Sequence, residues 1–343
     1  MKQNQNNTAQ TSPFEAMIQL MSGFWVSRGI YVAAKLGIAD YLRDGDKTAA
    51  ELAAATDTHA DSLYRVLRML AMVGVFEQKG DDRFALTPLS ETLLTDSPFS
   101  LRAGAIAEMG EVHYEAWGNI MHSVKTGEIA FDNNFGMNIW QYFETDREKA
   151  QNFNKYMASS SESVSQAIVE AYNFSESQKL VDVGGGLGGM ISAILRANPN
   201  LSGVLFDAPS VVEKAREFLI NAGVSERCET IGGDFFESVP AGGDVYTLRW
   251  IIHDWEDGLS IKILKNIRNV LPPNGKLLLF EAVVPQNGQP HFSKFMDLIM
   301  LTMTGGRERT AEEYESLLGK ADFKVTRVIP TASFMSIVEA VPA

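Results

Sequence analysis

From Phe14 to Arg43 apolar residues recur at helical spacing, at Ile18, Met21, Phe24, Trp25, Ile30, Val32, Ala33, Leu36 and Ile38, which predicts a long helical stretch. Its first half is apolar on nearly every face. Such a helix is either central to a core or buried against a second copy of the chain, and Met17, Met21 and Trp25 point to the second copy, although periodicity alone leaves both open. Thr48 with Glu51 three residues on forms a capping box that opens the next helix. Another helix begins after Thr58 or Asp61 and runs to the stop at Gly74. Residues 75–78 and 84–87, separated by Gly80-Asp81-Asp82, then read as strand, turn and strand, completing a helix-turn-helix with a wing.

Helical patterns return at 101–126 and 140–172, joined by a Gly- and Asn-rich linker over 127–136. Beyond them strand and helix alternate, with strands expected at 180–183, 202–206, 228–231, 244–248, 276–280, 322–328 and around 333–338. Alternation of this kind implies a seven-stranded, mostly parallel sheet whose ligands bind at the carboxyl ends of its strands. The chain thus divides into a disordered tail (1–13), a winged-helix domain (14–100), a helical linker and pocket region (101–172) and an α/β domain (173–343).

A chain of 343 residues can bury two cores. Its net charge of −13 and pI near 4.9 repel phosphate backbones and anionic lipid, which argues against nucleic acid and membrane partners. A winged helix often reads DNA, yet Arg65 and Arg68 stand a helical turn apart without a basic companion patch, so the module is better suited to pairing subunits. Cys228 is the single cysteine, no Cys/His spacing suits zinc, and the polar start Met1-Lys2-Gln3-Asn4 lacks an apolar leader; together these suggest a cytoplasmic protein without a metal.

The chemistry centres on Leu180-Val181-Asp182-Val183-Gly184-Gly185-Gly186-Leu187-Gly188-Gly189-Met190, a strand that ends in an acid, a turn of glycines and a helix opening. Bare main chain there lets a ligand approach the helix N-terminus. Gly184, Gly186 and Gly189 match the dinucleotide fingerprint, but Asp182 would crowd a pyrophosphate and suits a cationic ligand such as S-adenosylmethionine better than NAD. Asp207, ending the second strand, is at the distance of a ribose partner. Gly233-Asp234-Phe235 ends the third and can bond and cover an adenine. Arg249 and His253 follow the fourth, Glu281 ends the fifth, and Glu308 lies in the loop Gly305-Gly306-Arg307-Glu308-Arg309-Thr310. One imidazole with carboxylates arriving from neighbouring strand ends makes a general base held in one tautomer. The alternative is that Glu281 and Glu308 pair with Arg307 or Arg309. Phe153 and Met157 share a helix face and either pack in the core or line an aromatic substrate pocket.

These motifs, with Arg249-Trp250-Ile251-Ile252-His253-Asp254-Trp255-Glu256-Asp257 at their centre, resemble the S-adenosylmethionine-dependent O-methyltransferases of the caffeic acid/hydroxyindole type from about Met21 to the C-terminus. The resemblance implies a Rossmann-like class I methyltransferase domain preceded by a winged-helix dimerisation domain, and a homodimer. By it, Gly184 and Gly186 meet the methionine end of the cofactor, Asp207 the ribose, and Asp234 and Phe235 the adenine, with Asp182 and Gly233 also expected among the cofactor-binding residues. Arg249 stands where plant members carry a lysine, and Ser161 matches a serine reaching the cofactor carboxylate. His253 is implied as the base, flanked by Glu281 and Glu308, with Phe153, Met157, Asp254, Met296, Met300 and Met303 around an aromatic acceptor from secondary metabolism. S-adenosylhomocysteine would be the product. N- or C-methylation on the same fold, an S-adenosylmethionine-sensing regulator and a nicotinamide dehydrogenase are the alternatives.

Overall fold

The computed structural model describes residues 12–97, 100–159, 161–286 and 288–343, the side chains of 158–163 excepted. Most of the expected tail lies outside the described residues, but Ser12 caps the first helix and Pro13 opens it. Two compact units result, one ending at Gly110 and one spanning Glu111–Ala343.

In the first unit, α1 (Pro13–Leu36) starts from a capping box between Ser12 and Glu15. It ends at Gly37, whose φ of 68° lets the backbone turn, so the expected continuous stretch to Arg43 is two helices, α1 and α2 (Ile38–Tyr41). There follow β1 (Lys47–Thr48), α3 (Ala49–Thr56) with the Thr48–Glu51 box, α4 (Ala60–Met72), β2 (Phe76–Lys79), β3 (Arg83–Leu86), α5 (Pro88–Glu91) and α6 (Arg102–Glu108). Helix α4 begins after Thr58, as the first of the two expected starts has it, with His59 as its cap, whose Nδ1 accepts from the Ser62 amide. The strands form an antiparallel sheet in the order β1-β3-β2. Ile38, Leu52, Leu67, Leu70, Phe76 and Phe84 are its sealed core. Helix α6 belongs to this unit and not to the expected helical middle, since Arg102 donates to the Ala34 carbonyl at 2.8 Å and pairs with Asp40 at 3.2 Å. The first half of α1 is bare within the single chain: Phe14, Met17, Leu20, Met21 and Trp25 are all exposed, Leu20 by 76%. The intrachain-core alternative therefore fails for that half.

The second unit opens with α7 (Glu111–Gly118), α8 (Ile120–Thr126), α9 (Ala130–Phe135), α10 (Ile139–Thr145), α11 (Arg147–Ser159) and α12 (Ser161–Ala171). Helix α9 lies inside the segment expected to be a linker. Fully buried Phe131 and half-buried Phe135, one turn apart, stack at 4.5 Å, and Asn119 ties Asn133 and Asn134 to α8. The α/β part then runs β4 (Lys179–Val183), α13 (Gly189–Ala197), β5 (Ser202–Asp207), α14 (Pro209–Asn221), β6 (Cys228–Gly232), β7 (Val245–Arg249), α15 (Asp257–Val270), β8 (Lys276–Glu281), α16 (Ser293–Met303), α17 (Ala311–Gly319), β9 (Phe323–Pro330) and β10 (Ser336–Pro342). The sheet order is β6-β5-β4-β7-β8-β10-β9, parallel except for antiparallel β10, so all seven expected strands are present. Chain order reverses between β4 and β7, which opens a crevice at the carboxyl ends of the central strands. Apolar clusters on both sheet faces hold those ends rigid. Among the described residues no helix is long and apolar enough to cross a membrane.

Candidate active site

At the end of β4 the turn takes positive φ at Gly184 (71°), Gly186 (59°) and Gly188 (92°). A side chain at Gly184 would meet Ile251 at 2.5 Å, and one at Gly185 would meet Asp182 Oδ2 at 2.7 Å. Gly186 faces open space, and its N–H donates to Asp207 Oδ2 at 2.8 Å, locking the turn to the tip of β5. Asp207 Oδ1 accepts the Ala208 amide, and each carboxylate oxygen keeps a lone pair for a hydroxyl donor. Asp182 does not stand in the crevice as expected for a contact residue. It is sealed beneath Gly185 and bonded to Thr247 Oγ1 at 2.7 Å, so it acts on the site through its field. Burial, only partly offset by Thr247 and Arg249, pushes its carboxyl up to about 6.

Gly233 closes against the Phe206 ring, which a side chain would strike at 2.5 Å. Asp234, exposed, accepts the Phe236 amide at 2.8 Å, and Asn266 fixes the Phe235 and Phe236 carbonyls. Arg249 packs over Trp250 with a buried Nη1 that has no hydrogen-bond partner, and burial lowers its guanidinium to about 10. An orphaned cationic donor beside bare main chain, with acids at the tips of β5 and β6, fits a zwitterionic nucleoside with a carboxylate, a ribose and an adenine. The Ser161 side chain lies outside the described residues.

His253 sits in a 3₁₀ turn, Ile252–Asp254, after β7. Its Nδ1 is 2.7 Å from Glu308 Oε1 and 4.0 Å from Glu281 Oε2, while Nε2 is 3.6 Å from Asp254 Oδ1. All four residues are buried. Burial disfavours the imidazolium, but Asp254, Glu308 and Glu281 outweigh it and push His253 up to about 10. Burial pushes Asp254 to about 6 and Glu281 to about 8. The 2.7 Å separation is that of a hydrogen bond, shorter than the ~3.3 Å between two ligands on a tetrahedral zinc.

The loop at 304–309 builds this cage. Gly306 lies so close to the turn that a side chain would come within 1.9 Å of the His253 carbonyl, and Arg307 donates its amide to that carbonyl at 2.8 Å. Arg309, fully buried, clamps the same turn through the Ile252 and Trp255 carbonyls and pairs with Asp257. Arg307 pairs with Glu313. Neither arginine takes Glu281 or Glu308, so the alternative pairing fails.

A chain of rings runs from α10 and α11 to Trp255, two residues beyond His253. Phe153 stacks on Phe143 at 4.9 Å and meets Trp140 at 6.2 Å; Trp140 meets Trp255 at 6.3 Å, and Trp255 meets Phe236 at 4.8 Å. Trp140, Phe143 and Trp255 were not among the expected site residues, although aromatic residues at i and i+3 on a helix ending near a pocket are a readable signal. Met296 and Met300 are nearly sealed on one face of α16, and Met157 is half-buried. Met303, 1% exposed, lies in the cluster of Phe131 and Ile139, against which Trp140 and Phe143 also pack.

The chain resembles known proteins along nearly its whole length. Residues 117–324 match the model of the O-methyltransferase domain, and residues 18–96 that of the O-methyltransferase dimerisation domain. The chain is 45% identical to phenazine O-methyltransferase PhzM of Lysobacter antibioticus over 98% of its own length and 99% of that protein's. It is 38% identical to the mitomycin biosynthesis 6-O-methyltransferase of Streptomyces lavendulae, covering 96% and 94%. The solved O-methyltransferase NcsB1 from neocarzinostatin biosynthesis, in complex with S-adenosylmethionine and 2-hydroxy-5-methyl naphthoic acid, superposes with a TM-score of 0.84 at 32% identity, over 98% of this chain and all of that one.

Proposed function

Because the chain belongs to the S-adenosylmethionine-dependent O-methyltransferases that carry their own dimerisation domain, we propose that it methylates a hydroxyl of a planar aromatic secondary metabolite, with His253 as the base. The observation that carries this is the 2.7 Å bond from Nδ1 to buried Glu308, which fixes the tautomer and leaves Nε2 to receive a proton. Phenazine and naphthoate acceptors of the relatives suit the ring wall of Trp140, Phe143, Phe153 and Trp255, whose faces offer large flat contact.

S-adenosylmethionine supplies a methyl carbon made electrophilic by its sulfonium. The glycine turn, Asp207, Asp234, Phe235 and Arg249 would hold it. Asp182, beneath the turn, places negative charge where a cationic ligand gains from it. His253 holds and moves the proton. The carboxyl groups around His253 raise the proton affinity of its imidazole toward that of a phenol, whose pKa is about 10, so transfer to Nε2 of the neutral ring is closer to level in free energy. Asp254, 3.6 Å from Nε2, stabilises the imidazolium once formed. The ring wall and the loop at 304–309 keep water from the reacting oxygen.

The bare half of α1 supports a homodimer built by the first unit, with a second chain covering Phe14, Met17, Leu20, Met21 and Trp25.

The deciding experiment follows labelled methyl transfer to a panel of phenols, hydroxyquinones and amines by wild type and His253→Ala. The variant should bind S-adenosylhomocysteine normally and lose about 10²–10⁴-fold of its turnover on phenols. Turnover within a few-fold of wild type would remove His253 from the base role.

A further inference from the structure

Behind His253 the polar groups do not pair off. Glu281 is fully buried; Oε1 accepts the Ile252 amide at 3.0 Å and Oε2 has no hydrogen-bond partner. Glu308 spends Oε1 on the imidazole, and its Oε2 is likewise buried without a partner. The Tyr314 hydroxyl, sealed in α17, is a third unpartnered atom, and it stands in the field of both glutamates. The charged groups facing this space do not resolve the mismatch. Arg309 is turned to Ile252, Trp255 and Asp257, Asp297 accepts the Glu308 amide, and Asp254 adds negative charge from the Nε2 side.

Donor atoms of Glu281, Glu308 and His253 lie within 4.8 Å of one another, away from water. Two carboxylates that close, sharing one ring N–H, do not both ionise, as in other buried carboxylate pairs. Glu308 has the stronger claim to the charge. Its oxygen is 2.7 Å from the imidazole against 4.0 Å for Glu281, which otherwise receives a single backbone amide.

We propose that Glu281 is a neutral carboxylic acid in the working enzyme, holding a proton behind His253 so that Glu308 alone places charge on Nδ1. Glu281 is then a positioning residue, and its acid O–H is the donor that the two free carboxylate oxygens lack. Its neutrality also tempers the cage, since a second full charge beside Nδ1 would hold the imidazolium too firmly to give up its proton. Burial, which moves Glu281 to about 8, agrees with this state at neutral pH. The assignment deepens the role given to His253 but is tested without turnover.

Infrared difference spectra of the full-length protein are recorded from pH 5 to 10. Asp182 and Asp254, both near 6, are largely ionised by pH 7.5, so a protonated-carboxyl C=O band remaining there reports Glu281. The band should fade as pH rises through about 8, be absent in Glu281→Gln, and fade at a lower pH in Glu308→Gln, where the like charge is gone. Linkage gives a second readout. A carboxyl raised from 4.5 to about 8 on folding contributes stability that is full below 4.5 and lost as pH climbs through about 8, so Glu281→Gln should flatten the fall in stability over that window. No such band in wild type at pH 7.5, or one that persists in Glu281→Gln, overturns the proposal. Should Glu281→Gln not fold, the wild-type band and its shift in Glu308→Gln decide alone.

Discussion

Replacing Glu308 by Gln removes one charge from the cage while keeping an oxygen that can face Nδ1. The wild-type pair is separated by 2.7 Å, and both side chains are almost wholly buried. With charge centres ~4 Å apart and an effective dielectric of ~20, their attraction is about 4 kcal/mol. At 1.36 kcal/mol per unit this corresponds to about 3 units of imidazole pKa. His253, raised in the wild type by its carboxylate neighbours, should therefore fall back toward its ordinary range. The chain has five histidines, so nitrogen-labelled histidine NMR resolves them, and His253→Gln identifies the signal. Two changes are expected in the variant: the His253 titration falls by about 3 units, and the rising limb of the pH–rate profile for a phenolic acceptor moves down with it. The plateau should drop about 10–100-fold, the worth of a hydrogen bond to a charged group. Should the His253 signal titrate at the same pH in both proteins, Glu308 does not set the proton affinity of the imidazole, and the electrostatic account of the cage is wrong.

Gly306→Ala should disturb the same site by sterics alone, since the new methyl would lie 1.9 Å from the His253 carbonyl; a loss of about 1–3 kcal/mol in stability and at least ~10-fold in kcat is expected, and a variant with wild-type melting and turnover would contradict that packing. Glu339 is held down at about 2 because Arg327, Thr326 and Tyr172 hydrogen-bond it, which outweighs its burial. A lowered carboxyl contributes stability above 4.5 that is lost as pH falls through about 2, so Glu339→Gln should cost about 1–2 kcal/mol at pH 7, after discounting for the solvent at the exposed Arg327 head, and little below pH 2 in urea titrations. Paired Met21→Glu and Trp25→Glu changes on the bare half of α1 should give a monomer by sedimentation velocity; an unchanged sedimentation coefficient would place the subunit contact elsewhere.

Much of the fold was legible because each central strand is a short apolar run that stops at an acid, a glycine or an arginine, and burial on both faces leaves no other place for such runs. The same punctuation located Asp207, Asp234, His253 and Glu281 at strand tips. Side-chain direction was not legible. Asp182 sits one residue before Val183 and two before Gly184, close enough to suggest a contact, yet strand alternation and the Thr247 hydroxyl turn it under the sheet end. Helix α9 was hidden by its asparagines, which favour turns in isolation and here bond to α8.

The division of labour between Glu308 and Arg309 marks where sequence reasoning ends. The two are neighbours in one loop, and composition permits either to face His253 or each other. What separates them is the turn at 252–254 and the residue after it, where the Ile252 and Trp255 carbonyls accept from the Arg309 guanidinium as well as from the Ser260 hydroxyl. With Arg309 committed there and to Asp257, Glu308 is left to the imidazole, 55 residues earlier in the chain. The proton affinity of His253 is thus decided by backbone carbonyls that carry no signature in a sequence. A substitution that satisfied those carbonyls differently would retune the base without touching it.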